Sequence, residues 1–156
     1  MTLKNTISYL ELKLSKVTGT RIDINIAEQE GKEYWAHQAL YNQKKAIFRK
    51  AKSTPTKKGQ FVTVWKRNTE GITAPYHDKD DIAYFIILSI TENAQGVFTF
   101  PKEALLKNKI MASKLHDGKR GFRVYPPWEK DLSSKQAIKT QEWQVQYFSQ
   151  FDELIK

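Results

Sequence analysis

The chain has 156 residues, 40% hydrophobic and 12% aromatic, with 26 Lys and Arg against 17 Asp and Glu for a net charge of +9. That length and apolar content fit one packed domain and exclude disorder. No apolar run approaches the ~20 residues of a transmembrane helix, and with no cysteine there is no disulfide framework, thiolate zinc site or Cys nucleophile.

Leu3, Ile7, Leu10, Leu14 and Val17 recur at helical spacing, which predicts a helix from Thr2 to Val17 stopped near Gly19. Ile22, Ile24 and Ile26 alternate with polar residues as in a strand, and Glu30-Gly31-Lys32 reads as a turn. Glu33–Tyr41 fits strand better than helix. Lys45–Lys52 alternates, Ser53–Gly59 has turn composition, and Gln60–Lys66 alternates again, so residues 45–66 are expected to form a hairpin with a long basic loop. Thr69–Asp81 reads as a loop. Ile82–Ile90 is apolar on both faces and belongs at the centre of a sheet. Gly96 is placed between it and a strand Val97–Phe100. Pro101 opens a helix to about Asn108. Gly118–Gly121 is a turn, Phe122–Tyr125 a strand, and Ser133-Ser134 caps a final helix from Lys135 to about Gln150. That helix has Ile138, Trp143, Tyr147, Phe151 and Leu154 on its inner stripe. The fold class expected is α/β of the α+β type: a single domain over residues 1–156, its mostly antiparallel mixed sheet flanked by N- and C-terminal helices. Met1–Ser8 has no apolar h-region, so no secretory leader is expected, and the reading is a soluble, cytoplasmic domain without membrane contact.

Charge is unevenly spread. Tyr41–Thr69 holds nine bases (Lys44, Lys45, Arg49, Lys50, Lys52, Lys57, Lys58, Lys66, Arg67) and no acid. Glu70–Phe100 is acidic, and Pro101–Tyr125 is basic again, with Lys102, Lys107, Lys109, Lys114, Lys119, Arg120 and Arg123 against Glu103 and Asp117. Ile47, Phe48, Phe61, Val62, Val64 and Trp65 interleave the first basic block, which ties it to the folded body rather than a tail. A held basic patch attracts phosphates. The expected site gathers Arg49, Lys50, Lys52, Thr54, Thr56, Lys57, Lys58, Gln60, Lys66 and Arg67 on the hairpin, with Lys119, Arg120 and Arg123 behind it. Arg forks fit phosphate and carboxylate alike. Trp65 is expected to pack rather than stack on a base.

Other chemistries find little support. Ser113, Gly118-Lys119 and Arg120 fail the Walker spacing, and neither Gly-x-Gly-x-x-Gly nor Gly-x-Ser-x-Gly occurs. His37, His77 and His116 are scattered. His77-Asp78-Lys79-Asp80-Asp81 lacks the Gly and final Glu of a calcium loop and reads as a solvated acidic loop. No cofactor and no metal are expected. The expected partner is nucleic acid, DNA above all, held non-specifically through its phosphates; the alternative is a metal-dependent nuclease or other enzyme acting on an anionic substrate, with Asp78, Asp80, Asp81 or Glu33 lining a basic cleft and binding a divalent cation. A small-anion or protein-interaction module is a further one.

Several runs together resemble the MepB-like proteins: Phe48-Arg49-Lys50-Ala51-Lys52, residues 54–63 (TPTKKGQFVT), Trp65-Lys66-Arg67, Phe100-Pro101-Lys102, residues 118–128 (GKRGFRVYPPW) and Thr140-Gln141-Glu142-Trp143-Gln144. The likeness runs from about Glu33 to Phe148. It implies a bacterial protein associated with multidrug-efflux gene clusters, and carries over no catalytic residue. The element order also resembles a restriction-endonuclease-like core, in which Lys66 would stand for the motif lysine. Val64 then holds the carboxylate position, so the resemblance implies binding without metal-dependent cleavage.

Overall fold

The computed structural model describes residues 3–152. Helix α1 (Leu3–Thr18) buries Leu10 and Leu14 and most of Ile7, and Gly19 beyond it adopts φ 71°, the left-handed turn that stops a helix. Thr2, the side chain of Leu3, and Leu154 lie outside the described residues. A meander follows: β1 (Ile22–Ala27), a 3₁₀ turn at Lys32–Tyr34, β2 (His37–Tyr41) and β3 (Lys44–Lys50), so only the second half of the expected strand 33–41 is extended. From α1, Ser15 Oγ accepts from Ile22 N at 2.9 Å and Glu11 Oε2 accepts from Ile24 N at 2.7 Å. These two side chains, one helical turn apart, satisfy outward amides of β1 and so cover a sheet edge.

The later strands are β4 (Lys52–Ser53), β5 (Gln60–Thr63), β6 (Trp65–Arg67), β7 (Thr73–Pro75), β8 (Tyr84–Ile90) and β9 (Gln95–Pro101). Helix α2 (Lys102–Lys107), β10 (Gly121–Val124), helix α3 (Lys135–Gln144) and β11 (Phe148–Phe151) complete the chain. The main sheet runs β1-β2-β3-β8-β9-β11, antiparallel except for the parallel pair β3–β8. It separates two cores. Ala46, Phe48, Ile86 and Leu88 face α1, while Ile47, Phe85, Ile87, Phe98 and Phe100 face Leu105, Val62, Phe122 and Val124. Covered on both sides, β8 is apolar from Tyr84 to Leu88, and it is central as expected. This is the α+β class and mixed sheet that the alternation indicated. Among the described residues no helix is long and apolar enough to cross a membrane.

Four expectations are corrected. First, residues 45–66 are not one hairpin. β3 belongs to the main sheet, and the chain crosses at Ala51, whose N–H donates to Leu88 O at 2.9 Å, into a second sheet of order β10-β5-β4. The basic turn joins only β4 to β5. Val64 N donates to Arg120 O at 2.8 Å as the last rung beside β10, and Trp65–Arg67 then pairs with β7 instead, which splits the expected strand 60–66 into β5 and β6. β6 pairs with β7 inside the presumed loop 69–81. Second, Lys66 and Val64 therefore lie outside the main sheet, and the placement of Lys66 as an endonuclease motif lysine falls with the hairpin. Third, Gly96 lies within β9, not between the strands, and the turn is closed by Thr91 N donating to Ala94 O at 2.9 Å. Glycine there leaves room for the Phe148 ring, which a Cβ would push aside. Fourth, the last helix ends at Gln144. Phe148–Phe151 pairs with β9 as an edge strand, Phe151 is buried on the α1 side, and Ile138 is 43% exposed instead of lining the core. Aromatic residues beside an open sheet edge favour the strand over helix propensity.

Candidate nucleic-acid interface

Two depressions gather five of the expected bases. The larger, about 410 Å³, lies between the end of the β1–β2–β3 meander and the β6–β7 hairpin and is lined by Glu28, Glu30, Arg49, Lys66, Arg67 and Tyr76, with Trp65 beside them. Arg49 is 3% exposed. Its Nη2 donates to Glu28 Oε2 at 2.8 Å and its Nη1 to Phe48 O at 2.9 Å. Burial raises the Tyr76 pKa, and the nearby Arg49 charge opposes that shift. Lys66 Nζ donates to Asp80 Oδ1 at 2.6 Å, and Asp80 Oδ2 accepts from His77 N at 2.8 Å. Burial works to raise the Asp80 pKa, but the bonds from Lys66 and His77 outweigh it and the net shift is downward. Arg67 grips Glu30 with two bonds, Nε to Oε2 at 3.0 Å and Nη2 to Oε1 at 2.8 Å, and these lower the Glu30 pKa. The guanidinium lies 5.3 Å from the Trp65 ring centroid, so the ring packs against a cation of its own hairpin. Thus Arg49, Lys66 and Arg67 do come together as expected, but each already holds a carboxylate.

Glu28 and Glu30, which complete this cavity, were not among the expected site residues. Their signal was present: two acids two apart just beyond a strand end emerge together, and Glu28 N is tied to Ala36 O at 2.8 Å. Of the acids expected to line a cleft, only Asp80 reaches a cavity base. Asp78 meets His77, Asp81 meets Lys45 and Glu33 meets Lys52, and the described residues hold no group of three or more His, Asp or Glu placed to bind a metal ion.

The other hairpin residues divide. Lys50 sits on the opposite face of β3 from Arg49, its Nζ 4.6 Å over the Trp35 ring, and burial, with the Lys52 charge second, lowers its pKa. Lys52 contacts Glu33 at 3.3 Å. In the turn, Thr54 Oγ1 reaches Lys57 O at 3.5 Å, Thr56 and Lys57 are exposed, and Lys58 Nζ donates to Lys130 O at 2.6 Å and Asp131 O at 3.2 Å. Gln60 is a correction. It is 2% exposed and straps the sheets together, accepting from Ser89 Oγ at 2.5 Å and donating to Ile90 O at 3.0 Å. No anion reaches it.

The smaller cleft, about 220 Å³, lies where β10 meets α3 and the turn after α2, and is lined by Lys119, Arg123, Gln136, Thr140, Asn108 and Trp143, among others, with no acid. Buried Gln144 fixes this strand, its Nε2 donating to Arg123 O at 2.9 Å and its Oε1 accepting from Tyr125 N at 2.8 Å. Arg123 Nη1 donates to Lys58 O at 3.1 Å, which joins the cleft to the basic turn. Arg120 turns away and donates to Thr73 O at 3.0 Å. In the second sheet Lys52, Phe61 and Arg123 are cross-strand neighbours on the outer face. A Cβ at Gly121 would stand 2.5 Å from Phe61 Cζ, so glycine lets that ring lie flat across the sheet.

A MepB-like family model matches residues 28–150 of the chain. The chain is also similar to a crystal structure of MepB, with 32% identity, a TM-score of 0.80, and coverage of 98% of this chain and 99% of that one. Among curated proteins none matches.

Proposed function

The chain belongs to the MepB-like family, and we propose that it binds nucleic acid through its phosphates, without base readout and without cleaving it. Neither match names a ligand, so the reading rests on charge and geometry. One observation carries it. Among the described residues, none of the seven bases between Pro101 and Tyr125 forms an ion pair with a carboxylate, and the Lys58 turn is stitched to this group through Arg123. Lys57, Lys58, Lys119 and Arg123 therefore present positive charge together, beside the flat Phe61 ring, an arrangement suited to a sugar–phosphate backbone with an unstacked base against the sheet. No helix enters a groove: α3 carries Gln136, Gln141 and Gln144, but Gln141 donates to Pro126 O and Glu129 O, each at 2.9 Å, and Gln144 holds β10. A cytoplasmic location goes with this reading, since the ligand is found there.

Titration of labelled duplex and single-stranded DNA and RNA against salt tests it. About four to six phosphate contacts imply a slope near −4 to −5 in log affinity against log salt on duplex DNA, at roughly 0.9 per contact. Binding that is undetectable at low salt, or insensitive to salt, ends the proposal.

A further inference from the structure

The acid-free cleft is built for more than passing backbone contact, and we infer that it seats one terminal phosphate, a phosphate monoester at a nucleic-acid end. This rests on the nucleic-acid reading above for its source of ligand, though not for its chemistry. Lys119 is exposed, and its ammonium makes no hydrogen bond or ion pair among the described residues, while the cleft it lines contains no carboxylate. Arg123 lines the same cleft and spends one donor on Lys58 O, with its backbone clamped by the fully buried Gln144 amide. A fixed strand therefore carries the guanidinium, and the exposed ammonium of Lys119 lines the same cleft beside it. Two cations without a competing acid favour a dianionic monoester over a singly charged diester.

Size points the same way. At about 220 Å³ the cleft falls below the roughly 300–1,000 Å³ of whole-ligand pockets, so it takes a group rather than a molecule. An internal diester needs chain leaving on both sides, whereas an end group enters once. The Thr140 hydroxyl already donates to Gln136 O at 2.8 Å and so offers the cleft its lone pairs, which suits a sugar hydroxyl; Trp143 supplies an apolar wall for that sugar. The larger cavity cannot serve, because Arg49, Lys66 and Arg67 each hold a carboxylate that an incoming phosphate would have to displace.

The test compares one single-stranded oligonucleotide bearing a 5′-phosphate, a 3′-phosphate or hydroxyls at both ends, on the wild-type chain and on Lys119→Gln, with inorganic phosphate followed separately by thermal shift. A phosphorylated end should bind the wild type about tenfold tighter than the hydroxyl form, and Lys119→Gln should remove most of that preference, weakening the hydroxyl form only by the one backbone contact Lys119 supplies and the phosphorylated forms by more. Arg123→Lys, which keeps the charge and loses the fork, should lower the preference to an intermediate value. Equal wild-type affinity for all three oligonucleotides overturns the inference and leaves the nucleic-acid reading standing. No oligonucleotide binding, with a phosphate-induced thermal shift lost in Lys119→Gln, supports the cleft and overturns the nucleic-acid reading. No response to either ligand overturns both.

Discussion

The cavity under β6–β7 and the cleft beside β10 both gather bases, yet only one is electropositive. In the cavity, Arg49, Lys66 and Arg67 come from a stretch of sequence with no acid at all, and each is matched by a carboxylate from outside it: Glu28, Asp80 and Glu30. In the cleft, Lys119 and Arg123 come from a stretch that contains Glu103 and Asp117, and neither acid reaches them. A run of like charge along the chain therefore says little about the field it makes, because folding supplies counter-charges from distant positions. Five of the nine bases in the acid-free stretch (Lys45, Arg49, Lys52, Lys66 and Arg67) are ion-paired in this way.

The largest effect that divides the two regions is on stability. Arg49→Ala removes a charge that is 3% exposed and strands Glu28, whose side chain is 25% exposed, so unfolding by denaturant should become easier by about 3 kcal/mol. Nucleic-acid affinity of the folded protein should stay within twofold. A variant that keeps its stability and loses binding would make the cavity the interface and reverse the comparison.

Binding divides them next. Lys119→Gln with Arg123→Gln should flatten the salt slope on duplex DNA by roughly two, one contact per charge, and weaken all sequences alike. Lys66→Gln with Arg67→Gln should leave the slope nearly unchanged, because those charges are already neutralised in the free protein. Equal flattening by both pairs would mean that Asp80 and Glu30 release their partners to the ligand.

What the sequence made legible was whatever depends on near neighbours. The Leu10–Leu14 stripe, the doubly apolar β8, the turn at 53–59 and the Ser134 cap, which accepts from Ala137 N at 3.0 Å, were all readable locally. The bases of the candidate site were readable too, since composition alone marks them. Partner choice was not. The Gln60–Lys66 alternation is real, but it cannot reveal that its first half pairs with β10 and its second half with β7, which divides the strand between two sheets. Gln60 looked like one more polar residue of a basic turn until Ser89 and Ile90, 29 and 30 positions away, claimed its amide. Likewise Phe148–Phe151 has an apolar pattern that a helix would tolerate, and the free edge of β9 decides for the strand.

The smallest expected effect concerns pH and isolates one ion pair of the cavity. The Asp80 pKa is lowered from its ordinary value of 3.8, so the folded state prefers the carboxylate more than the unfolded state does. The sign follows: the stabilisation is fully present above about pH 4, where the unfolded chain is also ionised, and is lost as pH falls through the lower folded value. Asp80→Asn keeps an acceptor for the His77 N–H but gives up the charge opposite Lys66. The variant should therefore be less stable than the wild type at pH 7, and the difference should shrink as pH drops below about 4, where the wild type loses the same charge by protonation. Denaturant midpoints measured from pH 7 down to about 2.5 read this directly. A gap of constant size across that range would assign the contribution of Asp80 to hydrogen-bond geometry alone, and the cavity would then owe its charge balance to Arg49–Glu28 and Arg67–Glu30 without help from the third pair.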